Sequence, residues 1–187
     1  METERVNLHS NVREGYQILL RAEAELYLPC ERGRIASFYR ALAEKCMEWM
    51  TEVQGERVRQ RFLALESTVE RARFHAELYR FSMRMVWESA SHVAFVCEST
   101  LSQYGEEAFL RYRRLSQVWN TEEQTLLPLR EILRMLGVKL HKGELSFRPD
   151  GAYPTRDGVV LYRNASPRKP FSEHVVPICA AQESAPV

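Results

Sequence analysis

The chain has 187 residues, 45% of them hydrophobic and 27% charged, with a formal net charge of +1. That length suits one domain with a sizeable core, and the composition excludes wholesale disorder, collagen and a disulfide-packed miniprotein. The near-balance of acids and bases excludes a globally basic nucleic-acid binder, and no apolar run approaches the ~20 residues needed to span a bilayer.

Residues 1–14 are expected to be a loose N-terminus. Over 15–29, Leu20, Ala22, Ala24 and Leu26 alternate with Arg21, Glu23 and Glu25. That period of two predicts a strand with one wet face, ended by Pro29, although Ala and Glu favour helix on propensity alone. Residues 31–69 predict a long helix. Ile35, Phe38, Leu42, Trp49 and Val53, joined by Tyr39, Cys46 and Met50, form an apolar stripe opposite Arg40, Glu44, Lys45, Glu48 and Glu52. Gly55 interrupts it before Val58, Phe62, Leu65 and Val69 resume, so a kink or break is expected there.

The period then changes. Tyr79, Phe81, Met83, Met85 and Trp87 predict a strand with one buried face, Ser89-Ala90-Ser91 a turn, and His92 to Glu98 a second strand. Gly105 precedes a third strand, Phe109 to Trp119. Asn120 to Glu123 then turn into a short strand, Gln124 to Leu127, completing an antiparallel meander. Pro128 to Gly137 reads as a short helix, with Pro in its first turn and Gly past its end. A terminal hairpin is expected from Leu145 to Arg148, the turn Pro149-Asp150-Gly151 and the strand Val159 to Arg163 after Arg156-Asp157-Gly158. A last strand is expected near His174 to Ile178, and 180–187 as a disordered tail. The expected fold is a single α+β domain over 15–179. It is an antiparallel sheet of about five to seven strands packed on one long kinked helix, plus a short helix.

Charge is mildly uneven: residues 55–84 carry seven Arg and four Glu, whereas residues 1–54 carry seven bases and nine acids. The bases are twenty-two Arg and four Lys, a bias expected of a GC-rich bacterial genome. The two Asp, Asp150 and Asp157, both precede Gly and read as turn residues. Cys30, Cys46, Cys97 and Cys179 form no Cys-x-x-Cys pair, so free thiols are expected, with no metal and no cofactor. The opening Met-Glu-Thr-Glu-Arg lacks the basic and apolar regions of a secretory signal, so the expectation is a cytoplasmic protein without membrane attachment.

Two stretches add a family likeness. One is Trp119 to Leu133, a strand, turn and strand feeding a short helix. The other is Phe147 with Thr155 to Asn164, an aromatic strand, a turn and a second strand. Together they resemble the C-terminal domain of RsiV-like anti-sigma factors, which also accompanies some peptidoglycan deacetylases, and the resemblance covers roughly residues 15–179. It implies a non-catalytic binding domain, extracytoplasmic in that family and recognising lysozyme in RsiV. The Tyr-x-x-x-Pro-Tyr run usual after its last hairpin is replaced here by Asn164-Ala165-Ser166-Pro167, and no export signal or membrane segment is read. No family binding residue carries over, and the expected module works inside the cell.

Candidate chemistry is sparse. Catalysis by a nucleophile needs a base within reach, and the neighbouring His92 and Cys97 are five apart, on opposite sides of a strand. Glu88, Glu98, Glu106 and Glu107 lie near strand ends and could supply an acid–base pair. His9, His75, His141 and His174 read as surface residues. The most pointed set is Arg80 and Arg84 on one strand with Arg111 and Arg113 on another, each pair sharing a face. Neighbouring strands would merge them into a basic face for an anionic partner, while the plainer alternative is a solvated face paired with Glu88 or Glu98.

Three functions follow. The first is a non-enzymatic binding or regulatory domain with a protein partner, using a sheet or hairpin surface and having no deep polar pocket. The second is a small hydrolase or transferase with an unrecognised Glu/His site, which predicts a cleft where such groups converge with perturbed acidity. The third is an anion or RNA binder using the Arg face, for which nucleic acid is disfavoured because the Tyr79, Phe81 and Trp87 face is needed for the core. An edge at 159–163 or 174–178 offers pairing to a second copy.

Overall fold

The structure is a computed structural model and describes residues 2–30, 33–105, 109–138 and 145–177. Gly15, with φ at +56°, reverses the chain between β1 (Thr3–Glu14) and β2 (Gln17–Pro29). These strands pair antiparallel along their length, from Thr3 opposite Pro29 to Glu14 opposite Gln17. The expectation of a loose N-terminus is therefore corrected. Polar residues such as Asn7 and Ser10 hid an edge strand whose stabilisation comes from its ladder with β2.

Next come α1 (Arg34–Trp49), a π-helical turn (Met50–Gln54), α2 (Gly55–Leu63) and α3 (Thr68–Ala72). They are followed by β3 (Glu77–Glu88), β4 (His92–Gln103), β5 (Phe109–Asn120), β6 (Thr125–Leu126) and α4 (Leu129–Met135). The chain closes with β7 (Gly151–Pro154), β8 (Gly158–Arg163) and β9 (Ser172–Pro177). The α+β class, the long interrupted helix and the short second helix match the sequence expectation. The six-stranded sheet runs β1-β2-β3-β4-β5-β6 and the second sheet β7-β8-β9. The larger sheet is mixed: β2 pairs parallel with β3, Leu20 opposite Glu77 through Leu26 opposite Met83, because the helical segment returns the chain as a crossover. Among the described residues no helix is long and apolar enough to cross a membrane.

Contacts divide the chain into two compact units, Met1–Arg84 with Cys97–Leu115 and Met85–Val96 with Ser116–Val187. In the first, α1 packs on β2. Alternation buries Leu20, Ala22, Ala24, Leu26 and Leu28, and the helix buries Ile35, Tyr39, Ala43 and Met47. The buried stripe thus runs on a four-residue step through Ala43 rather than through Trp49, which is half-exposed. Small residues at Ala22, Ala24 and Ala43 let helix and strand approach. Leu19, Val58 and Phe62 continue the core with Leu65 and Phe74, and the Phe62 and Phe74 rings meet edge-on at 5.3 Å. The helix stops at Leu63 instead of running to 69. The Ser67 hydroxyl accepts from the Glu70 N–H while the Glu70 carboxylate accepts from the Ser67 N–H, and this capping box starts α3 with Val69 left exposed.

In the second unit, Ala94, Val96, Val118, Ile132, Tyr153, Val160 and Tyr162 form one cluster. The Tyr162 hydroxyl accepts from the Ser116 N–H at 2.7 Å, and the Ser116 hydroxyl donates to the Ala152 carbonyl at 2.9 Å. Leu145 to Arg148, expected as a strand, form none. The strand begins at Gly151, where a Cβ would lie 2.4 Å from the Tyr162 hydroxyl, so this glycine serves a close approach rather than a turn. Residues 159–163 are not an edge, since β8 is flanked by β7 and β9.

Candidate functional site

Helix chemistry opens a pocket in the first unit. The Thr51 hydroxyl donates to the carbonyls of Met47 and Glu48 at 3.1 and 2.9 Å, competing with the backbone ladder. The following turn widens so that the Gly55 N–H reaches the Met50 carbonyl, a π-type bond. Trp49, the last residue of α1, stands just before this turn and off the buried stripe of Ile35, Tyr39, Ala43 and Met47. Cys46, Trp49 and Met50 from the helix, Tyr79 from β3, Ser99 to Leu101 from β4 and Arg111 with Arg113 from β5 line a hollow of about 260 Å³.

Burial pushes the Cys46 thiol up, against a hydrogen bond with Tyr79 that lowers it. Burial, then the neighbouring Cys46, pushes the Tyr79 phenol up as well. Cys97 is pushed up to about 12 by burial, with Cys46 and Glu98 adding. All three groups are therefore protonated and uncharged at neutral pH, and the pocket floor is effectively apolar. A reactive cysteine requires the opposite shift.

The four arginines read from the sequence are divided. Arg80 and Arg84 stand on the opposite face of β3 from Tyr79. Arg80 Nε lies 3.5 Å from Glu23 Oε2, and Arg84 Nη2 lies 3.6 Å from Glu98 Oε2. Arg114 Nη2 reaches Glu98 Oε1 at 2.9 Å, and the Tyr112 hydroxyl donates to the same oxygen. Alternation along β5 places Arg111 and Arg113 on the other face, at the pocket mouth. Both are exposed, and neither has an ion-pair partner among the described residues. Burial pushes the Glu98 carboxyl upward, but Tyr112, Arg114 and Arg84 outweigh it and hold the group below the usual glutamate range. That is the behaviour of a structural anion, not of a general acid.

The remaining candidates do not assemble. His92 sits where β4 begins, with Nδ1 2.8 Å from the Ser91 hydroxyl, while Cys97 is buried. Glu88 is exposed at the end of β3, and His9, His75 and His174 are exposed. Glu106, Glu107, His141 and Cys179 lie outside the described residues. Among the described residues no group of three or more His, Cys, Asp or Glu could hold a metal ion. One buried ion pair escaped the sequence reading: Glu77, 1% exposed, accepts from Gln54 Nε2 at 2.7 Å and from Arg61. It ties the π turn and α2 to the start of β3. The pocket residues Trp49, Met50 and Tyr79 also read as core from the sequence; Met50 and Tyr79 are buried, whereas Trp49 is half-exposed.

The fold resembles that of a DUF3298 family protein. That protein, from Pseudomonas aeruginosa PAO1, superposes with a TM-score of 0.56 at 14% identity, over 94% of this chain and 89% of its own. A member of the same family from Bacteroides fragilis gives 0.48 at 9% identity, over 94% and 88%. The likeness is one of fold. No family model matches the sequence, and no curated protein matches it.

Proposed function

We propose that this chain is a non-enzymatic binding or regulatory domain, similar to the RsiV-type module, whose ligand seats between the long helix and the β3–β5 face. The observation that carries the reading is the pocket itself. A half-exposed Trp49 and two arginines without an ion-pair partner among the described residues flank a floor whose titratable groups are held protonated. Exposed indole and unpaired guanidinium are the surface groups richest in binding energy. A hydrolase or transferase would need an activated nucleophile; burial works against a Cys46 thiolate or a Tyr79 phenolate, and no His, Lys, Asp or Glu among the described lining residues stands by Ser99 or Thr100 as a base. The DUF3298 likeness and the RsiV-like stretches support the same class of module at the level of fold.

The test is a thermal-shift screen of a broad library against the wild type and a Ser99→Phe variant that fills the pocket. The expected result is a compound that raises the melting temperature of the wild type, leaves the variant unmoved and is recovered unchanged by mass spectrometry. Chemical conversion of a pocket-dependent hit, or hits that stabilise both proteins equally, would overturn the proposal.

A further inference from the structure

Resting on that binding reading, we infer that the pocket selects small amphipathic anions, namely aryl or short acyl carboxylates whose head group is held by Arg111 and Arg113. Residues two apart on a strand share a face and stand about 6.6–6.8 Å apart along it, so two guanidinium groups can converge on one carboxylate. Guanidinium is suited to that task because its fork matches the two carboxylate oxygens. Some arginines of this unit are already committed to acids, among them Arg80 with Glu23 and Arg84 and Arg114 with Glu98. Arg111 and Arg113 have no carboxylate partner among the described residues, and they are the two arginines that line the hollow.

The rest of the lining fixes the other half of the ligand. Trp49, Met50, Tyr79 and Leu101 offer indole, thioether, phenol and aliphatic surface, and among the described residues no acid lines the hollow. The neutral Cys46 thiol and Tyr79 phenol add no negative charge that would repel an anion. At ~30 Å³ per water the volume equals roughly nine waters, a space for a ring or short chain rather than a folded partner. Trp49 is half-exposed at the hollow, where a bound ring would cover it.

Isothermal titration of the full chain with phenylacetate, 2-phenylethanol and 2-phenylethylamine separates charge from shape. The expected order is anion above alcohol above amine, with phenylacetate at least about tenfold tighter than the alcohol. In Arg111→Gln/Arg113→Gln that advantage disappears while alcohol binding is unchanged, and Trp49→Ala weakens both. Equal binding of acid and alcohol, or an acid preference that survives loss of both arginines, would overturn anion selection while leaving the pocket reading intact. Failure of all three probes to bind also overturns it, and the library screen then decides the wider reading independently.

Discussion

The contact of Gly55 with Val12 allows a test in which one substitution changes sign with its background. Gly55 has ordinary helical angles, φ −56° and ψ −45°, at the junction of the π turn and α2. Alanine fits that backbone, and in an open helix it would stabilise by about 0.5–1 kcal/mol. Here, however, a Cβ would lie 2.7 Å from Val12 Cγ2, with Cγ1 and Cβ of the same valine at 3.5 and 3.6 Å. Val12 sits at the register shift of β1, and a β-branched side chain has few rotamers to escape into. Overpacking of this kind costs about 1–3 kcal/mol, so Gly55→Ala should destabilise by about 0.5–2 kcal/mol net. In a Val12→Ala background the obstructing methyls are gone, and the same substitution should stabilise by about 0.5–1 kcal/mol. Urea unfolding of the four proteins, followed by far-UV circular dichroism at a common m value, gives the coupling directly. Stabilisation by Gly55→Ala in the wild-type background would refute the packing argument, as would failure of Val12→Ala to reverse its sign.

Replacing the anion of the Glu98 cluster should make stability depend less on pH. Because the folded carboxyl titrates below its ordinary value of 4.5, the ionised form contributes stability above that value, lost as pH falls through the folded one. Glu98→Gln should cost about 1–3 kcal/mol at pH 7 through lost charge-assisted bonds, and its deficit should shrink in acid melts. A deficit that is the same at pH 7 and pH 3 would contradict this. Thiol labelling with iodoacetamide at pH 8, mapped by peptide mass spectrometry, should modify exposed Cys30 first, with Cys46 and Cys97 protected until denaturant is added. Rapid native labelling of Cys97 would show that its site opens. Gly158→Ala should lower the midpoint of unfolding by the equivalent of about 1–3 kcal/mol, since its Cβ would lie 2.3 Å from the Val176 carbonyl oxygen across the β8–β9 ladder. An unchanged midpoint would mean β9 does not pair tightly there.

Much of the fold was legible because burial imposes a period. Leu20 to Leu28 alternate since one face of β2 lies under a helix, and Tyr79, Phe81 and Met83 alternate for the same reason. The same logic fails where stability comes from neighbours rather than side chains. β1 is polar on much of its length and became a strand through its ladder with β2, which no local pattern records. Gly151 and Gly158 read as turn formers, yet the atoms they must avoid, the Tyr162 hydroxyl and the Val176 carbonyl, lie on other strands. Which strand is parallel to which also depends on where a crossover lands, so the β2–β3 pairing was hidden.

The candidate site was half legible for a related reason. Parity correctly grouped Arg80 with Arg84 and Arg111 with Arg113, but parity says nothing about which face of β5 meets which face of β3. That relation depends on strand pairing, and it separates the two pairs: one is neutralised by Glu23 and Glu98, the other lines the hollow with Trp49 and has no ion-pair partner among the described residues. The indole itself was assigned to the core because a helix with 3.6 residues per turn would put it there. The stripe that is actually buried runs through Tyr39, Ala43 and Met47 and leaves Trp49 beside it, and a π turn with Thr51 bonding back to Met47 and Glu48 follows directly. The proposed pocket therefore borders a local irregularity of the helix, and the shape of its Met50 wall depends on that turn. Thr51→Val should show this. If the hydroxyl holds the widened turn, its loss should weaken phenylacetate binding several-fold in the same titration while Arg111 and Arg113 remain in place; unchanged affinity would mean the turn is held by packing alone.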